Sequence, residues 1–224
     1  MVSVPKRLPC DGHSMTDHSN LARHATPRII MVRHGESEWN VLGKWQGRAD
    51  TKLTDAGRRQ AREAALCVAQ AGLEIRRVVA SSLSRAHETA EIFTKTLGLN
   101  SPTVDDRLVE TDVGPWEGLR EHEIEAAWPN YLRDRRTPPD FEPPHAVFER
   151  ATSALRELHS DQENVLVVSH SGVIRTIRRV MDVPDRRLHN LEGCFFHLDP
   201  DGQLVAGDFV SLVSASQPVT NDAV

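Results

Sequence analysis

The sequence lacks several features that would place it in common protein classes, and cysteine is the first of these. Among its 224 residues there are only three cysteines, Cys10, Cys67 and Cys194, which lie far apart and form no CxxC pair. So few thiols at such spacing predict neither a disulfide framework nor a structural zinc site. The pattern is typical of a reducing compartment, and we expect a cytoplasmic protein.

Long apolar runs are missing as well. No stretch reaches the length that a transmembrane helix requires. The N-terminal segment has no continuous apolar core of the kind that a signal peptide needs. It is interrupted by Pro5, Lys6, Arg7 and Asp11. We therefore expect neither membrane insertion nor secretion.

An excess of one sign of charge is also absent. The chain has 27 Lys and Arg residues against 32 Asp and Glu residues, and its net charge is −5. A surface for nucleic acid or for an anionic membrane would show a basic excess. We expect no nucleic acid and no membrane as a partner, and we expect a small-molecule substrate instead. An exposed edge strand would be compatible with a homodimer.

The part of the chain between its two ends has the composition of one globular domain. Hydrophobic residues make up 39% of the sequence, which suffices for one well-packed core in a chain of this length. Residues 1–26 are polar and aperiodic and are predicted to be a disordered tail, and residues 215–224 are predicted to be a second flexible tail. The predicted domain spans residues 27–214.

Strand and helix patterns alternate within this domain. Apolar, β-branched runs predict strands at 28–33, 77–81 and 164–169, and the chain closes with two further strands at 195–198 and 204–210. Helical periodicity, caps and glycine stops predict helices at 54–70, 84–97, 121–132, 145–159 and 172–181. This alternation predicts an α/β fold, a three-layer α/β/α sandwich with a mostly parallel central sheet.

Polar residues follow each of the three strong strands. Arg33 and His34 end the first, Arg85 lies in the first turn of the helix after the second, and His170 follows the third at another helix start. Ligands bind outside the carboxyl ends of strands in open α/β sheets. Helix N-termini, arginines and histidines together suit a phosphate group.

These residues belong to a series of motifs that resembles the histidine phosphatase superfamily, the phosphoglycerate mutase-like group, over about residues 28–212. The matching segments are Arg33-His-Gly-Glu-Ser-Glu-Trp-Asn40, Leu53-Thr-Asp-Ala-Gly57, Ser81 to Ala90, Glu110 to Gly118 and Ser169-His-Ser-Gly172. Several motifs in the correct order make the resemblance specific, and it implies the phosphoglycerate mutase-like fold.

The resemblance implies a role for each matching residue. His34 would be the nucleophile that forms a phosphohistidine, and Glu110 would be the proton donor, with Asp112 as its nearby competitor. The phosphate oxygens would be held by Arg33, Asn40, Gln46, Arg85 and His170. Ser171 stands where the family usually has glycine, so its hydroxyl either adds a donor or narrows the site. The family implies no metal and no cofactor.

Substrate choice is expected to lie in a cap segment, residues 119–147. The family's usual Gly-Gly-Glu-Ser-like stretch is replaced there by Glu142-Pro-Pro-His-Ala146. Several conspicuous residues receive plainer interpretations. Trp39, Trp45 and Trp116 are expected to be packing or rim residues. Arg107 and Arg175 are expected to form structural ion pairs. Arg120, Arg133, Arg135 and Arg136 surround the cap and are expected to form a solvated face, with contact of one of them to an anionic substrate as the alternative.

The favoured function is therefore a metal-independent phosphomonoesterase acting on a small phosphorylated metabolite. One alternative is a cofactor-dependent phosphoglycerate mutase, which the segment Gly114-Pro-Trp-Glu-Gly118 disfavours because it resembles the phosphatase branch. The short interval between Glu110 and His170 also argues against the mutase. A third alternative, a non-catalytic phospho-ligand-binding protein, would have no need of Glu110.

Overall fold

The computed structural model describes residues 6–7, 28–159 and 163–213. Its centre is a seven-stranded sheet with the spatial order β1-β7-β6-β2-β5-β3-β4. The strands are β1 (Lys6–Arg7), β2 (Ile29–Arg33), β3 (Arg77–Ala80), β4 (Thr103–Val104), β5 (Val165–Ser169), β6 (Glu192–Leu198) and β7 (Leu204–Ser211). Strands β2, β5, β3 and β4 run parallel, and β6 is antiparallel to both of its neighbours.

Six helices occur among the described residues, and four of them pack on the two faces of this sheet. The six helices are α1 (Glu38–Leu42), α2 (Asp55–Gln70), α3 (Ser84–Leu97), α4 (Glu121–Ala127), α5 (Pro144–His159) and α6 (Ser171–Val180). Single 3₁₀ turns span Asp106–Leu108 and Gly114–Trp116. Among the residues described, no helix is both long and apolar enough to cross a bilayer.

The core explains why β2 and β5 are apolar at every position. Alternate residues of β2 face opposite sides of the sheet, so Ile30 and Val32 pack with α2 and α3, whereas Ile29 and Met31 pack with α5 and α6. A parallel sheet buried on both faces needs such continuous apolar strands. The predicted α/β sandwich with a mostly parallel sheet is confirmed.

Two helices differ from the sequence prediction. The helix predicted at 121–132 ends at Ala127, because Pro129 disfavours a helical conformation at Trp128. Helix α1 was not predicted. It is short, but Ser37 and Asn40 form a capping box at its start and Gly43, with φ of 64°, ends it.

Two further features fall outside the sequence prediction. Lys6–Arg7 pair in parallel with β7, although they belong to the segment 1–26 that was predicted to be a disordered tail. The rest of that segment and the predicted tail 215–224 lie outside the described residues. Cys67 is disulfide-bonded, whereas Cys194 is a free thiol. The sequence predicted no disulfide framework and did not indicate this single bond, because spacing along a sequence does not report distance in space. The cytoplasmic location thus loses one support and stays a prediction.

The parallel strands bring the predicted site residues to one edge of the sheet. Arg33 and Ser169 are register partners at the ends of β2 and β5, so His34 and His170 leave adjacent strands side by side. Ser81 follows β3 next to them, and its N–H donates to the carbonyl of Val168 at 3.0 Å. The fold therefore places three strand ends and the N-termini of α3 and α6 around one crevice.

Candidate active site

The His34 imidazole lies at the bottom of this crevice and is buried. Its Nδ1 is 2.7 Å from the carbonyl oxygen of Gly35. Because a carbonyl only accepts hydrogen bonds, Nδ1 carries the proton and Nε2 keeps its lone pair. That lone pair accepts a hydrogen bond from Nε of Arg85 at 3.2 Å. The ring is thus held in the tautomer that a nucleophilic Nε2 requires.

Arg85 is fully buried in the first turn of α3. Besides contacting His34, its guanidinium donates to the carbonyl of Ala49 at 2.7 Å and to that of Gly47 at 2.9 Å. These bonds use both terminal nitrogens and fix the plane of the group. The loop that follows α1 therefore positions the cation that faces the nucleophile.

His170 faces His34 across the crevice, with the ring centroids 5.2 Å apart. Its Nε2 lies 2.8 Å from the hydroxyl of Ser81, which in turn accepts from the N–H of Leu83 at 3.3 Å. The Ser81 hydroxyl can donate to Nε2 of His170, and in that arrangement Nδ1 carries the proton. Nδ1 is buried and has no hydrogen-bond partner among the described residues. It is a donor suited to an oxygen atom of a bound ligand.

Burial and clustered cations set the charge state of both imidazoles. Burial first, then the charges of Arg85 and Arg33, hold the pKa of His34 well below its usual value. Burial and the same two arginines, together with His34, also depress the pKa of His170. Both rings are therefore neutral near pH 7, which leaves the Nε2 lone pair of His34 available for attack.

Arg33 completes the cationic group. It is buried and donates to the carbonyl of Leu188 at 3.0 Å. Burial lowers its pKa to about 9, an effect that the carboxylate of Glu110 opposes and that Arg85 and Arg187 reinforce. The guanidinium still carries its charge at neutral pH, so the crevice presents two buried cations to an anion.

The Glu110 carboxylate is buried beside the N-terminus of α6. It accepts from the N–H of Gly172 at 3.2 Å and from its own neighbour, the N–H of Thr111, at 2.7 Å. A side chain on residue 172 would collide with this carboxylate, which explains the glycine. Arg150 holds the backbone in place by donating to the Glu110 carbonyl at 3.2 Å.

Asp112, the competing acid, lies differently. Its side chain is 44% exposed and accepts from the N–H of Gly114 at 2.9 Å. It is thus turned toward a local turn, while Glu110 lies against Gly172, two residues after His170. Of the two carboxylates, Glu110 is the one that the fold brings to the crevice.

Asn40 and Gln46 reach the site through hydrogen bonds. The side-chain oxygen of Asn40 accepts from the N–H of Ser37 at 3.0 Å and from the amide of Asn190 at 3.2 Å. That of Gln46 accepts from the hydroxyl of Ser37 at 2.8 Å and from the hydroxyl of Thr51 at 2.6 Å. With both oxygens occupied, the NH₂ groups are the donors that these amides can offer to a phosphate.

Two residues that were not among the sequence-predicted site residues also orient the site. Asn190 is buried and donates to the backbone carbonyl of His34 at 3.0 Å as well as to Asn40. It lies in an irregular segment before β6 and no local pattern marks it. Ser81, whose hydroxyl lies 2.8 Å from Nε2 of His170, does belong to a matching motif, and its position after β3 is a signal that was available.

The remaining sequence predictions fall into place around this crevice. Ser171 is the buried first residue of α6, next to His170, and the contribution of its hydroxyl stays a prediction. Arg107 pairs with Asp105 at 2.7 Å and Arg175 with Asp185 at 3.4 Å, as predicted for structural ion pairs. Within the described ranges no group of three or more His, Cys, Asp or Glu side chains is arranged to hold a metal.

The predicted cap packs around a small third cluster of apolar side chains. Trp45 and Trp116 are buried there with ring centroids 5.0 Å apart, and Trp116 also contacts Phe141. Trp39 lies beneath the ammonium group of Lys44 at 5.3 Å. The expectation that these tryptophans pack is confirmed. The expectation of a solvated face is incomplete for Arg135 and Arg136, because both line a cavity under the cap.

Comparison with known proteins agrees with this geometry. The family model "Histidine phosphatase superfamily (branch 1)" matches residues 29–200. The chain is 35% identical over 158 residues to phosphoglycerate mutase-like protein 4 of Arabidopsis thaliana, a match that covers 66% of this chain and 68% of that protein. It is 34% identical over 164 residues to glucosyl-3-phosphoglycerate phosphatase of Mycolicibacterium vanbaalenii, covering 67% of this chain and 72% of that one.

A solved structure supports the same relationship. A mycobacterial glucosyl-3-phosphoglycerate phosphatase in complex with VO3 superposes with a TM-score of 0.70 at 27% identity, covering 84% of this chain and 100% of that one. Some other curated relatives are longer proteins, of which the match spans 49%.

Proposed function

The chain belongs to the histidine phosphatase superfamily, and we propose that it hydrolyses phosphomonoesters without a metal, through a phosphohistidine at His34. Phosphatases among its relatives support a hydrolase that acts on phosphate esters. The observation that carries the mechanism is the neutral His34, whose Nε2 lone pair faces the buried Arg85 at 3.2 Å. A nucleophile and the cation that would bind its target are thus in direct contact.

In the first step, Nε2 of His34 attacks the phosphorus atom and the bond from phosphorus to the ester oxygen breaks. Charge on the three equatorial oxygens is stabilised by Arg33, Arg85 and the Nδ1–H of His170, which replace a metal ion in this role. In the protonated state that this step requires, Glu110 donates its proton to the leaving oxygen, so the alcohol departs neutral. The products are a phosphohistidine, the alcohol and an ionised Glu110.

In the second step, the ionised Glu110 takes a proton from a water molecule. The water oxygen attacks the phosphorus and the bond between nitrogen and phosphorus breaks. Inorganic phosphate leaves, and Glu110 and His34 return to their starting states. Because the leaving alcohol and the incoming water use the same side of the phosphoryl group, one carboxyl group serves both steps.

Replacement of His34 tests the covalent mechanism. We expect His34→Ala to abolish turnover, since no other neutral nucleophile lies at this position. In the unmodified chain, rapid acid-free quenching should trap a phosphoryl group on His34 that is labile in acid and stable in alkali, as peptide mass spectrometry can show. His34→Ala protein that keeps more than a few per cent of the activity would rule out the phosphohistidine.

The identity of the proton donor has its own test, based on the leaving group. An alkyl phosphate leaves as a basic alkoxide and needs the proton, whereas p-nitrophenolate leaves almost unaided. We expect Glu110→Gln to slow phosphorylation by an alkyl phosphate about 10²–10⁴-fold and to slow the p-nitrophenol burst far less. Asp112→Asn is the matched control and should show no dependence on the leaving group. The reverse result would assign the proton donor to Asp112.

Water as the final acceptor separates a phosphatase from a mutase. We propose the phosphatase because the relatives with stated activities include a glucosyl-3-phosphoglycerate phosphatase and a phosphoserine phosphatase. A mutase would transfer the phosphoryl group between positions of a phosphoglycerate and release little phosphate. Measuring released phosphate against phosphate transfer on the same substrate distinguishes the two activities.

A further inference from the structure

A cavity of about 600 Å³ opens beside the crevice, between the cap segment and α6. Its wall includes Thr111 and Gly172. These are the two residues whose N–H groups donate to the carboxylate of Glu110. If Glu110 protonates the ester oxygen, the alcohol attached to that oxygen extends into this cavity. On the proposed mechanism, this cavity is therefore where the leaving group would lie.

The wall of the cavity is rich in arginine. Six arginines line it, against three carboxylic acids, and the arginines are Arg135, Arg136, Arg175, Arg179, Arg186 and Arg187. Two of the acids are already neutralised. Asp185 pairs with both Arg175 and Arg179. Glu142 pairs at 2.8 Å with Arg150, which does not line the cavity. Two of the arginines are likewise paired with acids outside the wall, Arg186 with Glu192 at 2.7 Å and Arg136 with Asp134 at 3.9 Å. The lining keeps a net positive charge, because Asp185 has two arginine partners and two further arginines of the wall have no acidic partner among the described residues.

Two of these arginines are uncommitted. Neither Arg135 nor Arg187 makes an ion pair with another described residue, and both are exposed at the cavity. Arg187 is also among the charges that lower the pKa of Arg33, which locates it near the phosphate crevice as well as at the cavity. A cation in this position can contact an anionic group on the substrate a short distance from the phosphate.

We propose that this cavity selects phosphomonoesters whose alcohol carries a second anionic group, a carboxylate or a second phosphate, and that Arg187 and Arg135 are the residues that determine this specificity. The inference rests on the proposed phosphatase activity and deepens it, because it names the class of substrate. The first phosphate binds Arg33 and Arg85, and the second anion binds the arginines of the cavity wall.

Three esters with matched carbon chains test the proposal on the full chain. They are 3-hydroxypropyl phosphate, 2-carboxyethyl phosphate and propane-1,3-diyl bisphosphate. We expect kcat/KM for at least one of the two anionic esters to exceed that of the hydroxyl ester by about ten- to a hundredfold, the range of a hydrogen bond to a charged group. The carboxylate and bisphosphate arms show which acid group the cavity prefers. Equal values for all three esters would overturn the proposal.

Variants assign the preference to the cavity. Arg187→Gln and Arg135→Gln should each lower the ratio of kcat/KM for the preferred anionic ester to that for the hydroxyl ester by about tenfold. Arg133→Gln is the matched control, because Arg133 is an exposed arginine of the same segment that pairs with Asp134 and does not line the cavity. A ratio that is unchanged in both cavity variants would overturn the assignment.

The result is distinguishable from a failure of the proposed function. Hydrolysis of p-nitrophenyl phosphate needs only the phosphate crevice and reports the phosphatase activity by itself. Absence of that activity would refute the phosphatase, whereas its presence without a preference among the three esters would refute only the substrate class. Should one variant fail to fold, the other variant still tests the assignment. High salt gives a further test, because salt screens charges at exposed arginines and should reduce the preference for the anionic esters.

Discussion

Replacing Gly172 with alanine should separate the catalysis from the stability of this protein. An added Cβ would collide with one oxygen of the Glu110 carboxylate and would lie 3.0 Å from its Cδ atom, closer than side-chain atoms normally approach. The carboxylate must therefore move away by roughly 1 Å and loses its hydrogen bond from the N–H of residue 172. A shift of this size takes a general acid out of the range in which it can transfer its proton, about 2.6–3.2 Å between heavy atoms.

The expected magnitude follows from the role of that proton. General acid catalysis contributes about 10²–10⁴-fold, or about 3–5 kcal/mol of transition-state stabilisation, and misplacement by about 1 Å commonly costs 10²-fold. We expect Gly172→Ala to slow phosphorylation by 3-hydroxypropyl phosphate about 10²-fold or more. The p-nitrophenol burst should fall by less than about tenfold, because that leaving group needs little protonation.

Stability should change little, or even rise. Residue 172 lies in the first turn of α6, where alanine has a better helix propensity than glycine by up to about 1 kcal/mol, which offsets part of the cost of moving the carboxylate. Thermal melts followed by circular dichroism measure the change in stability. Stopped-flow release of p-nitrophenol measures the rate of phosphorylation by the aryl ester. Val180→Ala, an exposed position at the far end of α6, is the control. Equal losses for the alkyl and aryl esters, or no loss for either, would refute the reasoning.

Two further predictions concern pH and metal ions. Because burial and two arginines depress the pKa of His34, phosphorylation should persist below pH 6.5, where an ordinary histidine would be protonated. Arg85→Gln removes the nearest cation, so the acid limb of kcat/KM should move to higher pH, whereas Arg85→Lys, which keeps the charge, should leave it in place. The substrate ionises in the same way with both variants, so a difference between their acid limbs reports the enzyme. Acid limbs at the same pH in Arg85→Gln and Arg85→Lys would contradict this account. Activity should also survive EDTA and be inhibited by vanadate, and loss with chelator that zinc or magnesium restores would instead indicate a metallophosphatase.

The elements themselves and the chemical type of the site could be read from local sequence. Each of β2, β3 and β5 is a short apolar run, because a strand buried on both faces must be apolar throughout. Thr54 marks a helix start because its side chain accepts from the N–H of Gly57, and Gly98 marks a helix end through its positive φ. Since parallel strands present their carboxyl ends at one edge, the residues after those strands were expected to meet, as His34 and His170 do.

The tertiary structure decided what depends on residues distant in the chain. The motif resemblance favoured Glu110 over Asp112 as the proton donor, but no local pattern reports that Glu110 meets Gly172, more than fifty positions away. Asn190 reaches His34 across 156 positions from an irregular segment. The arginines of the cavity come from the cap, α6 and the loop before β6, and each one alone is typical of a solvated surface. Their common orientation toward one cavity arises only when these segments pack together, because charge density is a property of a folded surface and not of a stretch of sequence.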